Sequence, residues 1–422
     1  MITFKNRAVK FIPLLLALAV VGAVVGIHYY SKLTETMGFG VAAVPLFNPT
    51  LTYPGMYNGP LYATSEQIGD GYPIEKYFKN LDRNGVNYFI GFFAIEGAQN
   101  RATLHNHSGL GYMLDAVQKY PNRIIPFFNP GRGGDEVEKL VGSELTAMYK
   151  ATLTSSEAIV GTSVIQGFGE LETQEWKARH NDPKVLQLVD LAKAHGLSVM
   201  FHPVASKIKD VEAIVTAYPD TTFLIHMYRS DLKESRKTLI ALLKKYPNLY
   251  FSIDAAHIVH RVNDDMDILY DYEKSSGFIA EFDEDYDAIL ASAVKDYKPL
   301  VEGAPTKVMW GTEAGPDYSF EPAVYDRLIK ISRDLIGRMP TEHQEALGYK
   351  NALRAFGKGV TLTTPISIVD TKTLPFCSND TVDACDDSCG IKTDADLNSP
   401  VKGGCFEQCL FTNRCIDPPW DD

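Results

Sequence analysis

The chain has 422 residues, 45% hydrophobic and 22% charged, with 41 Lys and Arg against 53 Asp and Glu for a net charge of −12. This is a globular composition, long enough for a large barrel with extras or for two or three domains, and it excludes a disordered or collagen-like chain. The acidic balance argues against nucleic acid as a partner, because phosphate contact needs a basic footprint.

At the N-terminus Lys5, Arg7 and Lys10 precede an uncharged run, Phe11–Ile27, and the next charge is Lys32. A basic flank before an apolar core reads as a signal anchor or a secretory signal peptide over residues 1–33. The run is close to spanning length, and Gly22, Ala23 and Gly26 supply small residues for cleavage. Either way the basic flank stays inside and the body is sent to the extracytoplasmic side, anchored in the membrane or secreted.

A Gly-, Pro- and Tyr-rich stretch follows, over roughly 34–70. Apolar runs then alternate with helix-like segments through residue 360. The runs are Val41–Phe47, Val86–Ala94, Ile124–Phe128, Ser163–Phe168, Ser198–Phe201, Thr222–Ile225, Leu249–Ile253 and Val308–Trp310. Between them lie Pro183–His195, Ile208–Tyr218 and Leu232–Tyr246, with Gly196 and Pro247-Asn248 as stops. Alternating strands and helices predict a parallel sheet, and eight strands predict a (β/α)8 TIM barrel over 34–360. The alternative is an open doubly wound sheet, but no Gly-rich phosphate loop follows an early strand. Residues 264–299 are long for one crossover and read as a helical insertion.

Residues 361–376 read as a linker or edge strand. The segment 377–422 then holds all six cysteines (Cys377, Cys385, Cys389, Cys405, Cys409, Cys415) and ten acidic against three basic residues. An even count packed into a short segment reads as a disulfide module in an oxidising compartment. Cys385/Cys389 and Cys405/Cys409 are each four apart, which on two short helices aligns them for a doubly bridged hairpin. A zinc site is the rival, without its usual two-residue gaps. The six cysteines leave fifteen pairings open.

In a barrel the chemistry sits at the C-terminal ends of the strands. Those ends carry Glu170 and Glu172 on the fourth run, His202 on the fifth and His226 on the sixth. The seventh ends with Asp254 and His257, the eighth with Glu313 and Asp317. Imidazole and carboxylate are ligands for Zn, Mn or Fe, and such a set can hold one ion with a position open to water. For each histidine alone the plainer reading is a hydrogen-bonded core residue.

With these residues in place, the sequence resembles the amidohydrolase superfamily in its amidohydrolase-related branch. The stretches that carry the resemblance are LDRNGVN (81–87), YPNRIIPFFNP (120–130), AKAHGLSVMFHP (192–203), YPDTTFLIHM (218–227), YPNLYFSID (246–254), KVMWGTEAGP (307–316) and KNALRAFG (350–357), in the family's order. The resemblance implies a metal-dependent hydrolase on a (β/α)8 barrel. It implies that His202 and His226 are the metal-ligand histidines of strands five and six, and that Glu170 is the strand-four carboxylate. Glu313 stands where the family has the strand-eight Asp that acts as general base. The family's first-strand His-x-His is absent: the run at Val41–Phe47 places Leu46 and Asn48 there. His105-Asn106-His107 sits after the second strand, in what reads as an exposed polar loop.

Three functions follow. The first is an exported or membrane-anchored hydrolase using metal-activated water on a small molecule, with Glu313 or Asp254 as base. Arg132, Arg229 and His257 would then hold the substrate, the arginines gripping an anionic group. The second is an inactive amidohydrolase-like protein that binds a ligand or partner at the barrel mouth. The third is a surface protein that uses the barrel as scaffold and the cysteine-rich tail as contact surface.

Overall fold

In a computed structural model of the protein the described residues are 50–416, apart from 68–72, 102–103, 107, 131–133, 260–267, 270–271, 273, 316 and 394–401. The expected membrane segment and the run Val41–Phe47 lie outside them. Among the described residues no helix is long and apolar enough to cross a membrane.

Eight parallel strands follow one another around a sheet in chain order. They are β1 (Leu61–Gln67), β2 (Val86–Ala94), β3 (Ile124–Asn129), β4 (Gly167–Leu171), β5 (Ser198–Phe201), β6 (Phe223–Ile225), β7 (Leu249–Asp254) and β8 (Val308–Gly311). β8 returns to β1: Glu66 bridges Ala314, and the Glu313 N–H donates to the Ser65 carbonyl at 2.9 Å. The expected (β/α)8 barrel is therefore the fold.

Two strand placements differ from the sequence expectation. The first strand is Leu61–Gln67, not Val41–Phe47, so Leu46 and Asn48 do not end it. The fourth is Gly167–Leu171, four residues later in its start than Ser163.

β2 shows why the runs are continuous. Tyr88, Ile90 and Phe92 fill the barrel interior with Ile125, Phe127, Met200, Leu224 and Met309. Phe89 and Phe93, from the alternate positions, pack outward under the helices. A strand buried on both faces reads as a nearly continuous apolar run, here broken only by Asn87.

The helices cover the outside. α1 (Ile74–Asn84) buries Ile74, Tyr77, Phe78 and Leu81, the spacing of one helical face, and stops at Gly85 with φ +68°. α2 (Gly109–Lys119), α3 (Gly134–Leu140) and α4 (Ser143–Val160) flank β3, and α5 (Pro183–Ala194) follows β4. α5 starts where the Asp182 side chain accepts the Lys184 N–H at 2.9 Å and Pro183 takes the first turn. α6 (Ile208–Ala217), α7 (Arg229–Lys245) and the short α8 (Ala255–Ile258) lead to α9 (Ser275–Gly303), the expected helical insertion. α10 (Pro322–Gly337), α11 (Thr341–Glu345) and α12 (Asn351–Phe356) close the ring.

Beyond it the chain runs back along the barrel. Val360 N–H donates to the Ile124 carbonyl at 2.9 Å, Ile366 N–H to Gln118 Oε1 at 2.7 Å, and Val369 N–H to the Leu104 carbonyl at 2.8 Å. Two helices, α13 (Asn379–Cys389) and α14 (Lys402–Thr412), then form a hairpin bridged by Cys385–Cys409 and Cys389–Cys405. Cys377–Cys415 ties its base. All six cysteines are thus in disulfides, in the arrangement that the four-residue spacings suggest. His105 is buried rather than exposed: it bridges Val369, and its ring stacks on Phe411 of α14 at 3.5 Å.

Candidate functional site

The site is built by period-two alternation at the strand ends. Met200, Leu224 and Met309 point into the barrel. Two residues beyond the first two stand His202 and His226, and four beyond Met309 stands Glu313. Asp254 follows Ser252 on β7 in the same way. A Cβ on Gly311 would come within 2.2 Å of Asp254 Oδ1 and 2.5 Å of Ser65 Oγ, so the close approach there needs glycine.

β1 contributes through an irregularity. Its register with β2 shifts between Ala63 and Glu66. Such a bulge re-aims side chains. Ser65 and Gln67 turn toward the site, while Glu66 turns out to Tyr325, whose hydroxyl donates to Glu66 Oε1 at 3.2 Å. These are the residues at the end of the true first strand. Ser65-Glu66-Gln67 therefore stands where the resemblance led one to look for His-x-His.

Glu170 is the hub. Its Oε1 lies 2.8 Å from His202 Nδ1 and in hydrogen-bond contact with His226 Nε2. Its Oε2 accepts from Gln67 Nε2 at 3.0 Å, and the same amide donates to Glu313 Oε1 at 2.9 Å. His226 Nδ1 lies 2.6 Å from Asp254 Oδ2. The other Asp254 oxygen takes Ser65 Oγ at 2.6 Å and the Ser252 hydroxyl. Glu313 sits at φ +52°, in the left-handed region that is sparsely used by side chains of its size and is found at functional sites.

The charges follow from burial and neighbours. Burial works to raise Glu170, but the His226 charge and hydrogen bonds from both histidines outweigh it and hold this carboxyl well below the usual range. Burial likewise opposes a charge on His226, yet Glu170, Glu313 and Asp254 together hold its imidazole well above the usual range. Glu313 is pushed well above the usual carboxylate value by burial and then by the Glu170 charge. Burial, with Glu170 and Glu175 nearby, raises Glu172 to about 8.

A cavity of about 430 Å³ opens above these groups. Gln67, Glu170, His202, His257 and Glu313 line it, together with the more exposed Glu172, Glu175, Tyr228 and Gly315.

Two groups of side chains have donor atoms close enough together to hold a divalent ion: Glu170, His202 and His226, and the overlapping His226, Asp254 and His257. The first set fits the chemistry best. It pairs two imidazoles with one carboxylate, and His226 turns its second nitrogen to a carboxylate, the arrangement that orients metal-binding histidines.

Of the residues read from the sequence, Glu170, His202, His226, Asp254, His257 and Glu313 come together. Asp254 is fully buried with both oxygens engaged and does not line the cavity, so it orients His226 instead of meeting substrate as a base. Arg229 is a correction. Its guanidinium is spent on Asp296 of α9 at 2.8 and 3.2 Å, on the Ser292 hydroxyl and on the Ile258 carbonyl at 3.4 Å. It ties α7 to α9 and holds no ligand. Arg132 lies outside the described residues.

Gln67, Tyr228 and Glu175 were not among the expected site residues. Tyr228 had a signal in the sequence, because it lies two residues after His226. Gln67 carries none, because its strand ends in a polar run that reads as a loop.

No protein-family profile and no curated protein matches the sequence. Among solved structures the chain resembles amidohydrolases. An amidohydrolase from Burkholderia multivorans with bound zinc is 11% identical, with 71% of this chain and 100% of that one covered and a TM-score of 0.44. A probable 2-pyrone-4,6-dicarboxylic acid hydrolase from Acinetobacter baumannii with citric acid bound is 12% identical, with 71% and 98% covered and a TM-score of 0.43. Amidohydrolase 2 from Bifidobacterium longum subsp. infantis is 12% identical, with 72% and 99% covered and a TM-score of 0.42.

Proposed function

We propose that the protein is an exported, metal-dependent hydrolase of amidohydrolase type, acting on a small molecule at the barrel mouth. The observation that carries this is the convergence of Glu170, His202 and His226, with His226 fixed from behind by Asp254. These three would hold the ion, which supplies a water of lowered pKa and polarises the bond to be cut.

The chain's own groups do the rest. Asp254 fixes the orientation of His226 and is itself fixed by Ser65 and Ser252. Glu313 accepts from Gln67 at Oε1, and its burial favours the protonated form. With that proton it donates to a leaving group, and without it it takes a proton from water. Tyr228, the half-buried Glu172 and the exposed Glu175 meet the substrate. Export is supported by three disulfides in one module, which persist in oxidising compartments. Membrane anchoring through Phe11–Ile27 belongs to the same proposal.

The test is metal content. The full chain made in an oxidising compartment should carry about one divalent ion, because the two three-ligand sets share His226. A His202→Ala/His226→Ala variant should carry none and should lose hydrolytic activity.

A second reading is favoured by Gln67, whose amide spans Glu170 and Glu313 at the end of the first strand. A neutral donor there supports a protein that binds a ligand without turning it over. A parent chain that stays metal-free after loading with zinc or manganese would decide for this reading.

A further inference from the structure

The cysteine-rich module presents two neighbouring side chains that the reaction at the mouth does not use. Phe376 is 60% exposed, more than any other large apolar residue among the described residues. Its backbone is nonetheless pinned. It bridges Ile416, the Cys377 N–H donates to the Ile416 carbonyl at 2.8 Å, and the Ile416 N–H donates to the Pro375 carbonyl at 3.0 Å. The next residue is held in the Cys377–Cys415 disulfide. A fixed ring in water leaves apolar surface that stabilises the fold once it is covered.

Three residues on stands Asn379, exposed and the first residue of α13. It opens Asn379-Asp380-Thr381, one of two Asn-x-Ser/Thr triplets in the chain without a central proline. That pattern is the acceptor of an N-linked glycan. So short a pattern arises by chance, and its surroundings decide. Ser378 caps the helix by accepting the Thr381 N–H at 3.3 Å, and the Thr381 hydroxyl lies 2.9 Å from Ser378 Oγ. The Asn379 amide takes no part in this cap. Three residues keep the Cα atoms of Phe376 and Asn379 within about 11 Å, which an asparagine, a first sugar and a phenylalanine ring together span.

The other triplet, Asn106-His107-Ser108, is the opposite case. Asn106 Oδ1 accepts the Thr371 N–H at 3.1 Å and the Thr371 hydroxyl at 3.2 Å, and its Nδ2 donates to Asp370 at 3.3 Å. Ser108 is fully buried and caps α2 by accepting the Gly111 N–H at 3.0 Å. A sugar on Asn106 Nδ2 would part residues 370–371 from the loop after β2.

Resting on export from the cytoplasm, we propose that Asn379, and not Asn106, carries an N-linked glycan whose first sugar covers the ring of Phe376. The donor is an oligosaccharide on a lipid diphosphate, in the membrane through which the chain is exported. A bond forms between Asn379 Nδ2 and C1 of the first sugar, and the C1–O bond to the diphosphate breaks. The lipid diphosphate leaves with the electron pair, and the amide proton passes to a base of the transferase. The C–H face of a sugar covers an aromatic ring as other apolar surface does, and each CH2 equivalent covered favours the folded form by about fourfold.

The test is the full chain secreted from yeast or insect cells, which make such donors, with site occupancy read by mass spectrometry of glycopeptides. Asn379 should be occupied and Asn106 empty. Hydrogen exchange of the α13 amides then reads the contact with the ring. Trimming the glycan to its first sugar should leave protection unchanged. Releasing that sugar as well should lower protection by about fourfold or more. Phe376→Ala should keep the glycan and lose this difference.

An empty Asn379, or an occupied Asn106 in the secreted protein, overturns the proposal. So does equal protection with and without the first sugar, or a difference that survives in Phe376→Ala. A thiol count on the same sample separates this from export. An empty Asn379 with free thiols sinks export as well, whereas an empty Asn379 without them sinks the glycan alone.

Discussion

His226 Nδ1 lies 2.6 Å from Asp254 Oδ2, with both residues fully buried, and Asp254 in turn accepts from Ser65 Oγ at 2.6 Å. A carboxylate behind a histidine sets which ring nitrogen faces forward. Asp254→Asn keeps the size and loses the charge. It should lower metal affinity about 10- to 100-fold, read as occupancy against graded free zinc, with the barrel still folded by circular dichroism. Unchanged occupancy would reduce the pair to a structural hydrogen bond.

Glu66 is the one carboxyl of β1; it is buried and does not line the cavity. Burial, against hydrogen bonds from Thr312, Tyr77 and Tyr325, raises it from an ordinary 4.5 to about 8. The folded state then holds a proton that the unfolded chain has released. Stability is fully present below the unfolded value and is lost as pH rises toward 8, with a slope approaching about 1.4 kcal/mol per pH unit. Glu66→Gln mimics the protonated form. Its melting temperature should match the parent near pH 4 and exceed it at pH 9. Parallel curves across that range would show that Glu66 is ionised in the fold.

The contrast between β2 and β1 shows what the sequence can and cannot reveal. Val86–Ala94 is apolar but for Asn87 because both its faces are buried, so its bounds can be read directly. Leu61–Gln67 ends in Thr64, Ser65, Glu66 and Gln67, which reads as a loop. Thr64, Ser65 and Glu66 are buried and Gln67 half-buried only because partners lie far away in sequence. Thr64 meets Ser252 at 2.6 Å, Ser65 meets Asp254, and Gln67 meets Glu170 and Glu313. Arg229 is misread for the same reason, since nothing local shows Asp296 across from it. His202, His226 and Glu313 are readable because each ends a clear apolar run, and chemistry in a barrel collects at such ends.

Gln67 donates to both carboxyls of the site. Its hydrogen bond works to lower Glu313, against burial and the Glu170 charge that raise it. Gln67→Ala removes that donor, so Glu313 should keep its proton to still higher pH. The protonated-carboxyl infrared band that disappears in Glu313→Gln identifies the group, and its titration should move upward in Gln67→Ala. A midpoint that stays in place, or moves down, would mean that the amide does not govern this proton.

The tail module has almost no core of its own: Cys377, Cys385, Phe406, Leu410 and Cys415 are its buried residues. So small a cluster cannot hold two helices without cross-links. Cys385–Cys409 closes 24 residues, and by loop entropy such a bridge contributes about 3 kcal/mol. The Cys385→Ser/Cys409→Ser variant should therefore lose protection of residues 377–416 in limited proteolysis, while the barrel keeps its melting temperature. Phe411→Ala should act differently. It removes the ring that stacks on His105 at 3.5 Å but leaves the bridges intact. The module should stay compact with no free thiols, and cleavage should move to the strap at 361–376. If that variant is cut no faster than the parent, the Val369 backbone bonds to Leu104 and Asn106 hold residues 361–376 without the ring.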